Sequence, residues 1–329
     1  MQRPVAVVSL SALRHNVRAL ARKSSRPVIA VVKDDAYGHG AEIAAHEIAD
    51  MVCMFAVATV DEGARLVTAG IARDVLVLTP VLCREEAMRA RHYGLIVTAA
   101  SFPSLAFCGG LRTHIAVNTG MNRYGFSPRE IGRAAETAKS LNAHVEGVFS
   151  HLYEPSDPRA REEQTRAFAW CAQAVRGVFP GAMRHLCATG GILAGGEMFD
   201  AVRPGLGLYG YAPPPFADTA GLRPAMKVCA YVAQNTRPYG GGAGYAAAPK
   251  AFSALHTVSA GYGNGLFRAG VPGSVGKLCM DAFVREGRLP FGTRVCVLED
   301  AAAYAAQHGT TAYETLVAVG KGTEKRYVR

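Results

Sequence analysis

Pro27-Val28-Ile29-Ala30-Val31-Val32-Lys33, followed at once by Asp34-Asp35-Ala36-Tyr37-Gly38-His39-Gly40, decides how this chain is read. The first seven residues form a short apolar run in which Val28, Ile29, Val31 and Val32 are β-branched, the composition of a strand buried on both faces. A polar, glycine-containing stretch ends it. Upstream, Ser9 or Ser11 is placed to cap a helix whose Leu10, Leu13, Val17 and Leu20 share one face. Downstream the same unit recurs. Strand-like runs lie at about 53–58, 75–79, 94–98, 113–117, 144–150, 183–187 and 201–203, and helix-like stretches such as Asp61–Ala69, Glu85–Tyr93 and Arg159–Val178 fall between them. With Pro27–Lys33 the strands number eight. Strand–helix alternation points to parallel βα units. Eight of them over about 200 residues fit a (β/α)8 TIM-type barrel, with a doubly wound open sheet as the competing α/β arrangement.

After Tyr211 the character changes. Ala212-Pro213-Pro214-Pro215 continues neither strand nor helix. Beyond it come β-like runs at about 226–236, 252–260, 275–284 and 293–299, broken by Gly240-Gly241-Gly242. The expected organisation is a barrel over 9–215 and a smaller, β-rich C-terminal domain over 216–329, with residues 1–8 pairing with the second domain.

With 50% hydrophobic and 19% charged residues among 329, the chain is not disordered. No apolar run reaches the roughly 18 to 20 residues that span a bilayer, and Met1–Leu10 lacks a secretory pattern, so the expected location is the cytoplasm. Eight cysteines without a CxxC pair read as free, mostly buried thiols, with no disulfide and no metal site. The net charge of +10 comes from dispersed Lys and Arg. It makes no stripe suited to nucleic acid, though it attracts anionic ligands.

In a barrel, functional residues gather at the C-terminal ends of the strands. Lys33 closes the first strand. A lysine there either snorkels to solvent or serves as a partly desolvated, nucleophilic Schiff-base lysine. The ends of strands seven and eight carry Thr189-Gly190-Gly191 and Arg203-Pro204-Gly205-Leu206-Gly207, small residues that let backbone N–H groups approach a phosphate. A strand-one lysine with glycines at strands seven and eight matches pyridoxal 5'-phosphate (PLP), which needs both.

The stretch Val32–Gly40 resembles the PLP-lysine signature of alanine racemases. The similarity continues through Asn118-Thr119-Gly120-Met121-Asn122-Arg123-Tyr124-Gly125-Phe126, Ser150-His151-Leu152, Ala188-Thr189-Gly190, Val202–Gly210, Gly261-Tyr262-Gly263-Asn264-Gly265 and Cys279-Met280-Asp281. These blocks stand in family order from residue 32 to 281. The resemblance implies two opposed bases, Lys33 and, across a homodimer interface, Tyr262; a racemase needs a proton carrier on each face of the α-carbon. It implies that Arg203 faces the pyridine nitrogen, that His151 orients the ring and Arg203, and that Tyr37, Thr189, Gly205, Leu206 and Tyr327 bind the phosphate. Arg123 and the Met280 backbone would take the substrate carboxylate. The implied activity is PLP-dependent interconversion of L- and D-alanine by a Lys/Tyr pair, supplying D-alanine for peptidoglycan. Racemisation of serine, a basic amino acid or a biosynthetic intermediate, and a non-catalytic PLP-binding paralogue, are the alternatives.

Several departures from the family's pattern accompany the resemblance. Ala116 stands where the family often has a carbamylated lysine that holds the arginine, which leaves Asn118 or a bound anion to position Arg123. Asp34-Asp35 replaces Ala-Asn. Only 18 positions separate Tyr262 from Met280, so the entrance is expected to be wider or differently built. The C-terminal segment is altered to Gly322-Thr323-Glu324-Lys325-Arg326 before Tyr327.

Overall fold

The structure, a computed structural model, describes residues 3–329. Met1 and Gln2, the first of the eight N-terminal residues expected to pair with the second domain, lie outside the described residues. The chain forms two compact units. Of the described residues, one contains Leu13–Asp34 and Ala41–Arg223; the other contains 3–12, Asp35–Gly40 and Pro224–Arg329.

The first unit is a (β/α)8 TIM-type barrel. Its parallel strands run in sequence order: β2 (Ile29–Val31), β3 (Met54–Val57), β4 (Val75–Pro80), β5 (Ile96–Ala99), β6 (Arg112–Ala116), β7 (His144–Phe149) and β8 (Met183–His185), after the N-terminal strand β1 (Val5–Ser9). The eighth barrel strand is reduced to two parallel bridges. Ala201 pairs with His185 and Val202 with Val28, which closes the sheet on itself. Ile29 N donates to Val202 O at 2.8 Å and Arg203 N to Cys187 O at 2.8 Å, so residues 201–203 serve both edges.

β-Branched and small residues build this sheet because both faces are covered: Ile29, Ala30, Phe55, Ala56, Leu76 and Ile96 are fully buried. The helices Leu10–Ser24, Val60–Thr68, Arg84–His92, Ile131–Ser140 and Pro158–Val178 alternate with the strands. Ser9, not Ser11, caps the first of them, its Oγ accepting from Ala12 N at 3.2 Å. Thr59 and Glu62 form a capping box on Val60–Thr68.

The second unit is β-rich. Its main sheet runs β13 (Ser274–Val275), β14 (Phe283–Glu286), β12 (Leu255–Val258), β9 (Met226–Thr236), β1 and β16 (Glu324–Val328), with β15 (Arg294–Leu298) also on β9. β10 (Gly242–Ala243) and β11 (Ala246–Ala247) make a separate hairpin. β1 is parallel to β16 and antiparallel to β9. Two helices, Ala301–Gln307 and Ala312–Gly322, complete the unit.

Helix Ala312–Gly322 meets Gly38 backbone to backbone. A Cβ on Gly320 would lie 2.2 Å from Gly38 Cα and 2.4 Å from Gly38 O. By helix propensity alone, Gly320→Ala would stabilise by about 1 kcal/mol. The clash has backbone on both sides and outweighs it. We predict a net loss of about 2 kcal/mol or more, read as a lower urea midpoint for the cofactor-free protein. A rise in midpoint would show that the two segments do not approach this closely.

Candidate active site

The barrel places Lys33, His151 and Arg203, three of the residues expected to form the site, at the C-terminal ends of its strands. Lys33 follows β2. The next amide, Asp34 N, donates to Glu62 Oε1 at 2.6 Å, and the other oxygen of Glu62 accepts from Ala58 N at 2.7 Å. One capping carboxylate therefore also fixes the backbone just after the lysine.

Arg203 follows the eighth strand segment and is 3% exposed. It donates to His185 Nδ1 at 2.7 Å, His185 O at 2.8 Å and Ser150 O at 2.6 Å, and its guanidinium lies 5.1 Å from the Phe149 ring centroid. Because His185 Nδ1 accepts, its proton sits on Nε2, which donates to His114 Nδ1 at 2.9 Å. The side chain that holds Arg203 is thus His185, with His114 behind it, rather than His151. Burial first, and the nearby Arg123 cation, lower the Arg203 pKa to about 10, so it stays a cation at neutral pH.

His151 follows β7. Burial, then the fields of Arg203, Arg123 and Lys33, push its pKa down to about 3. These four groups share one electrostatic neighbourhood, strongly positive and suited to an anionic ligand.

The Arg123 loop is organised by Asn118. Its Oδ1 accepts from Gly120 N and Asn122 N, both at 3.0 Å, and its Nδ2 donates to Asn122 Oδ1 at 3.0 Å. Asn118 therefore shapes the loop, while Ala116 packs in an apolar cluster with Ala100, Phe149 and Leu78. Gln164, buried in helix Pro158–Val178, bonds both Thr119 Oγ1 and His151 O.

Thr189 Oγ1 accepts from Gly205 N at 3.3 Å and Gly207 N at 3.0 Å. Side chains have no room here: a Cβ on Gly207 would lie 2.8 Å from Thr189 Cγ2, and one on Gly190 2.7 Å from Pro155 Cγ. Leu206, buried between these glycines, begins a short 3₁₀ turn. This is a cradle of backbone N–H groups and one hydroxyl. Together with a strand-end lysine and a buried arginine whose hydrogen-bond partners are neutral, it fits a phosphate-bearing pyridine carbonyl compound.

Tyr37, Tyr262, Met280 and Tyr327 stand on the second unit. Lys33–Tyr37 is a left-handed helical turn, with φ of 52, 56, 54 and 52° at Asp34, Asp35, Ala36 and Tyr37. That conformation costs roughly 1–2 kcal/mol per non-glycine residue, so its surroundings must hold it. His39 Nδ1 lies 3.0 and 3.1 Å from the Ala36 and Tyr37 carbonyls, and Gly40 N donates to Asp35 O at 2.9 Å. The Tyr37 and Tyr313 rings lie 6.0 Å apart, and Tyr327 Oη packs where a Cβ on Gly40 would be.

Tyr262 and Met280 are brought together by backbone. Tyr262 N donates to Cys279 O at 3.1 Å and Gly263 N to Met280 O at 2.8 Å. Gly261 has extended backbone, and a Cβ there would lie 2.2 Å from Cys279 O. Asn264 Oδ1 accepts from Gly261 N at 3.0 Å, closing the turn that displays Tyr262, 36% exposed.

The profile described as "Alanine racemase, N-terminal domain" matches residues 8–213. The alanine racemase of Cutibacterium acnes is 33% identical, the alignment covering 98% of this chain and 97% of that protein. The chain belongs to the alanine racemase family. The Treponema pallidum alanine racemase is 31% identical over 98% of this chain and 99% of its own. The crystal structure of alanine racemase from D-cycloserine-producing Streptomyces lavendulae superposes with a TM-score of 0.87 at 27% identity, covering 100% of this chain and 98% of that one. The Cutibacterium alignment runs over 373 positions against 329 residues here, so that alanine racemase carries segments this chain lacks.

His114 and His185, which no motif singles out, carry a pH signature. Both are essentially unexposed, and burial, with the Arg203 charge, holds their pKa values far below the ordinary 6.5, to about 3 for His114. Native rings stay neutral while unfolded ones take up protons near pH 6.5. Their stabilising contribution is complete above that pH and is lost as pH falls below it, by up to about 1.4 kcal/mol per pH unit for each ring. Urea midpoints at pH 7.5 and 5.5 should therefore differ clearly, the acid value lower. Equal midpoints would mean the rings are protonated in the fold.

Proposed function

We propose that this chain is a PLP-dependent alanine racemase working by a two-base mechanism. The observation that carries the reading is the shared neighbourhood of Lys33, Arg123, His151 and Arg203 at the strand ends, with the Thr189–Gly207 cradle in the same barrel. PLP, when bound, supplies the electron sink that acidifies the substrate α-C–H. Thr189, Gly205 and Leu206, with Tyr37 and Tyr327, would grip its phosphate, and Lys33 would anchor its carbonyl end.

Lys33 Nζ then holds or moves a proton on one face of the α-carbon. We infer a homodimer in which the partner subunit's Tyr262 does so on the other face, its Oη being the exchanging atom. Arg123 and the Met280 backbone N–H bind the substrate carboxylate. Arg203, a cation held by His185 and backbone carbonyls, would oppose full protonation of a pyridine nitrogen bound beside it, which would favour proton return over decarboxylation or transamination. Alanine is the substrate we assign, with a cytoplasmic role in supplying D-alanine for peptidoglycan. The eight free cysteines suit such a reducing compartment. No described helix is long and apolar enough to cross a membrane.

The test is PLP-loaded protein in heavy water, with L-alanine and then a panel of L-amino acids, following α-proton exchange and optical rotation together. Exchange with loss of rotation, fastest for alanine, is the expected result. A faster serine or basic amino acid would reassign the substrate. No exchange with any amino acid, despite bound cofactor, would make the chain a non-catalytic PLP protein.

A further inference from the structure

The turn that carries Tyr37 is left-handed through four consecutive non-glycine residues, Asp34 to Tyr37. Tyr313 and Gly320 of helix Ala312–Gly322, and Lys325 and Tyr327 of β16, pack against residues 35–40. Lys325, on β16, makes an ion pair with the turn: Lys325 Nζ lies 3.0 Å from Asp35 Oδ2. The same ammonium donates to Gly320 O at 3.1 Å, at the end of the helix that meets Gly38 backbone to backbone. The Lys325 side chain is 20% exposed and Asp35 45%, so the pair is partly shielded from solvent. One ammonium therefore joins the turn, the helix end and β16. Asp35 and Lys325 also stand at two of the places where the sequence departs from the family's pattern.

We propose that Asp35–Lys325 is a positioning pair that holds the left-handed turn in the conformation that lets Tyr37 grip the cofactor phosphate. The inference rests on the PLP reading above. Neither residue touches the reacting atoms. Lys325 acts through the turn, and Asp35 is its handle.

The test compares wild type with Lys325→Met, Asp35→Asn and the charge-conserving Lys325→Arg. Two readouts are used: the dissociation constant for PLP, from cofactor absorbance after dilution, and amide hydrogen exchange of the cofactor-free proteins. We expect Lys325→Met and Asp35→Asn to weaken PLP binding by about tenfold, and Lys325→Arg to restore it to within about twofold of wild type. Exchange should quicken at residues 34–40 and stay unchanged on β9 and β12. Wild-type PLP affinity in Lys325→Met would overturn the proposal. So would faster exchange throughout the second unit with no rescue by arginine, since the pair would then serve general stability. A wild-type chain that takes up no PLP overturns the cofactor reading along with this one; uptake by wild type with unaltered variants overturns this one alone.

Discussion

Lys33→Ala should eliminate racemisation, lowering kcat by about 10⁴-fold or more in both directions while leaving the fold intact. The expected size follows from the two roles we propose for one amine, anchor of the cofactor and proton carrier on one face. The lysine stands two residues beyond a three-residue strand hydrogen-bonded between β3 and residues 202–204, and the Glu62 carboxylate pins the following amide. Its Cα is thus fixed by groups that the substitution does not touch. A thermal midpoint near that of cofactor-free wild type should accompany the lost activity. Measuring α-proton exchange from L- and D-alanine separately checks it. Exchange within about tenfold of wild type in either direction would remove Lys33 from the mechanism.

Tyr262→Phe should divide the two directions. Cofactor binding is expected to persist, while α-proton removal from L-alanine falls by about 10³-fold and exchange from D-alanine survives far better. The phenyl ring keeps its place because the loop is set by backbone: the Gly261–Gly263 and Cys279–Met280 segments bond to each other without using the hydroxyl. Only the hydroxyl, the proposed proton carrier, is deleted. Mixing Lys33→Ala with Tyr262→Phe chains adds a second reading. If each site uses a tyrosine from the partner, exchanged heterodimers hold one intact site and regain part of the activity. Full activity of Tyr262→Phe alone would sink the two-base assignment, and no recovery after demonstrated subunit exchange would count against the shared site.

Much of the barrel was legible because its strands are apolar on both faces and short. The runs expected at 53–58, 75–79 and 144–150 became Met54–Val57, Val75–Pro80 and His144–Phe149. The expected eighth strand is there as two bridges, since β8 and the 201–203 segment pair over so few residues. Less visible was whatever depends on distant packing. A left-handed run at Asp34–Tyr37 is one that only its aspartates tolerate singly, and it is packed by Tyr313 on Tyr37, Lys325 on Asp35, and Gly320 and Tyr327 on the glycines that follow. His114 and His185 lie 71 residues apart and meet only once the barrel closes, so no spacing announces them. Helix Ala301–Gln307 is another matter. Asp300 before an alanine-rich run is a readable N-cap, and its Oδ1 accepts from Ala302 N and Ala303 N.

The N-terminal strand has a consequence for how the chain is made. β1 lies between β9 and β16, Val5 pairing with Cys229 on one side and Glu324 on the other. As the chain leaves the ribosome, β1 must wait for β9, more than 200 residues later, to pair one edge, and for β16 to pair the other. The contact order is high and closure is late. Until β9 emerges both edges are bare, and until β16 emerges one remains so, with buried Ala6 and Val8 as sticky side chains between. A ribosome that stalls before Glu324 therefore leaves a chain with a finished barrel sequence and one edge of β1 open, the kind of species that chaperones must shield from self-association.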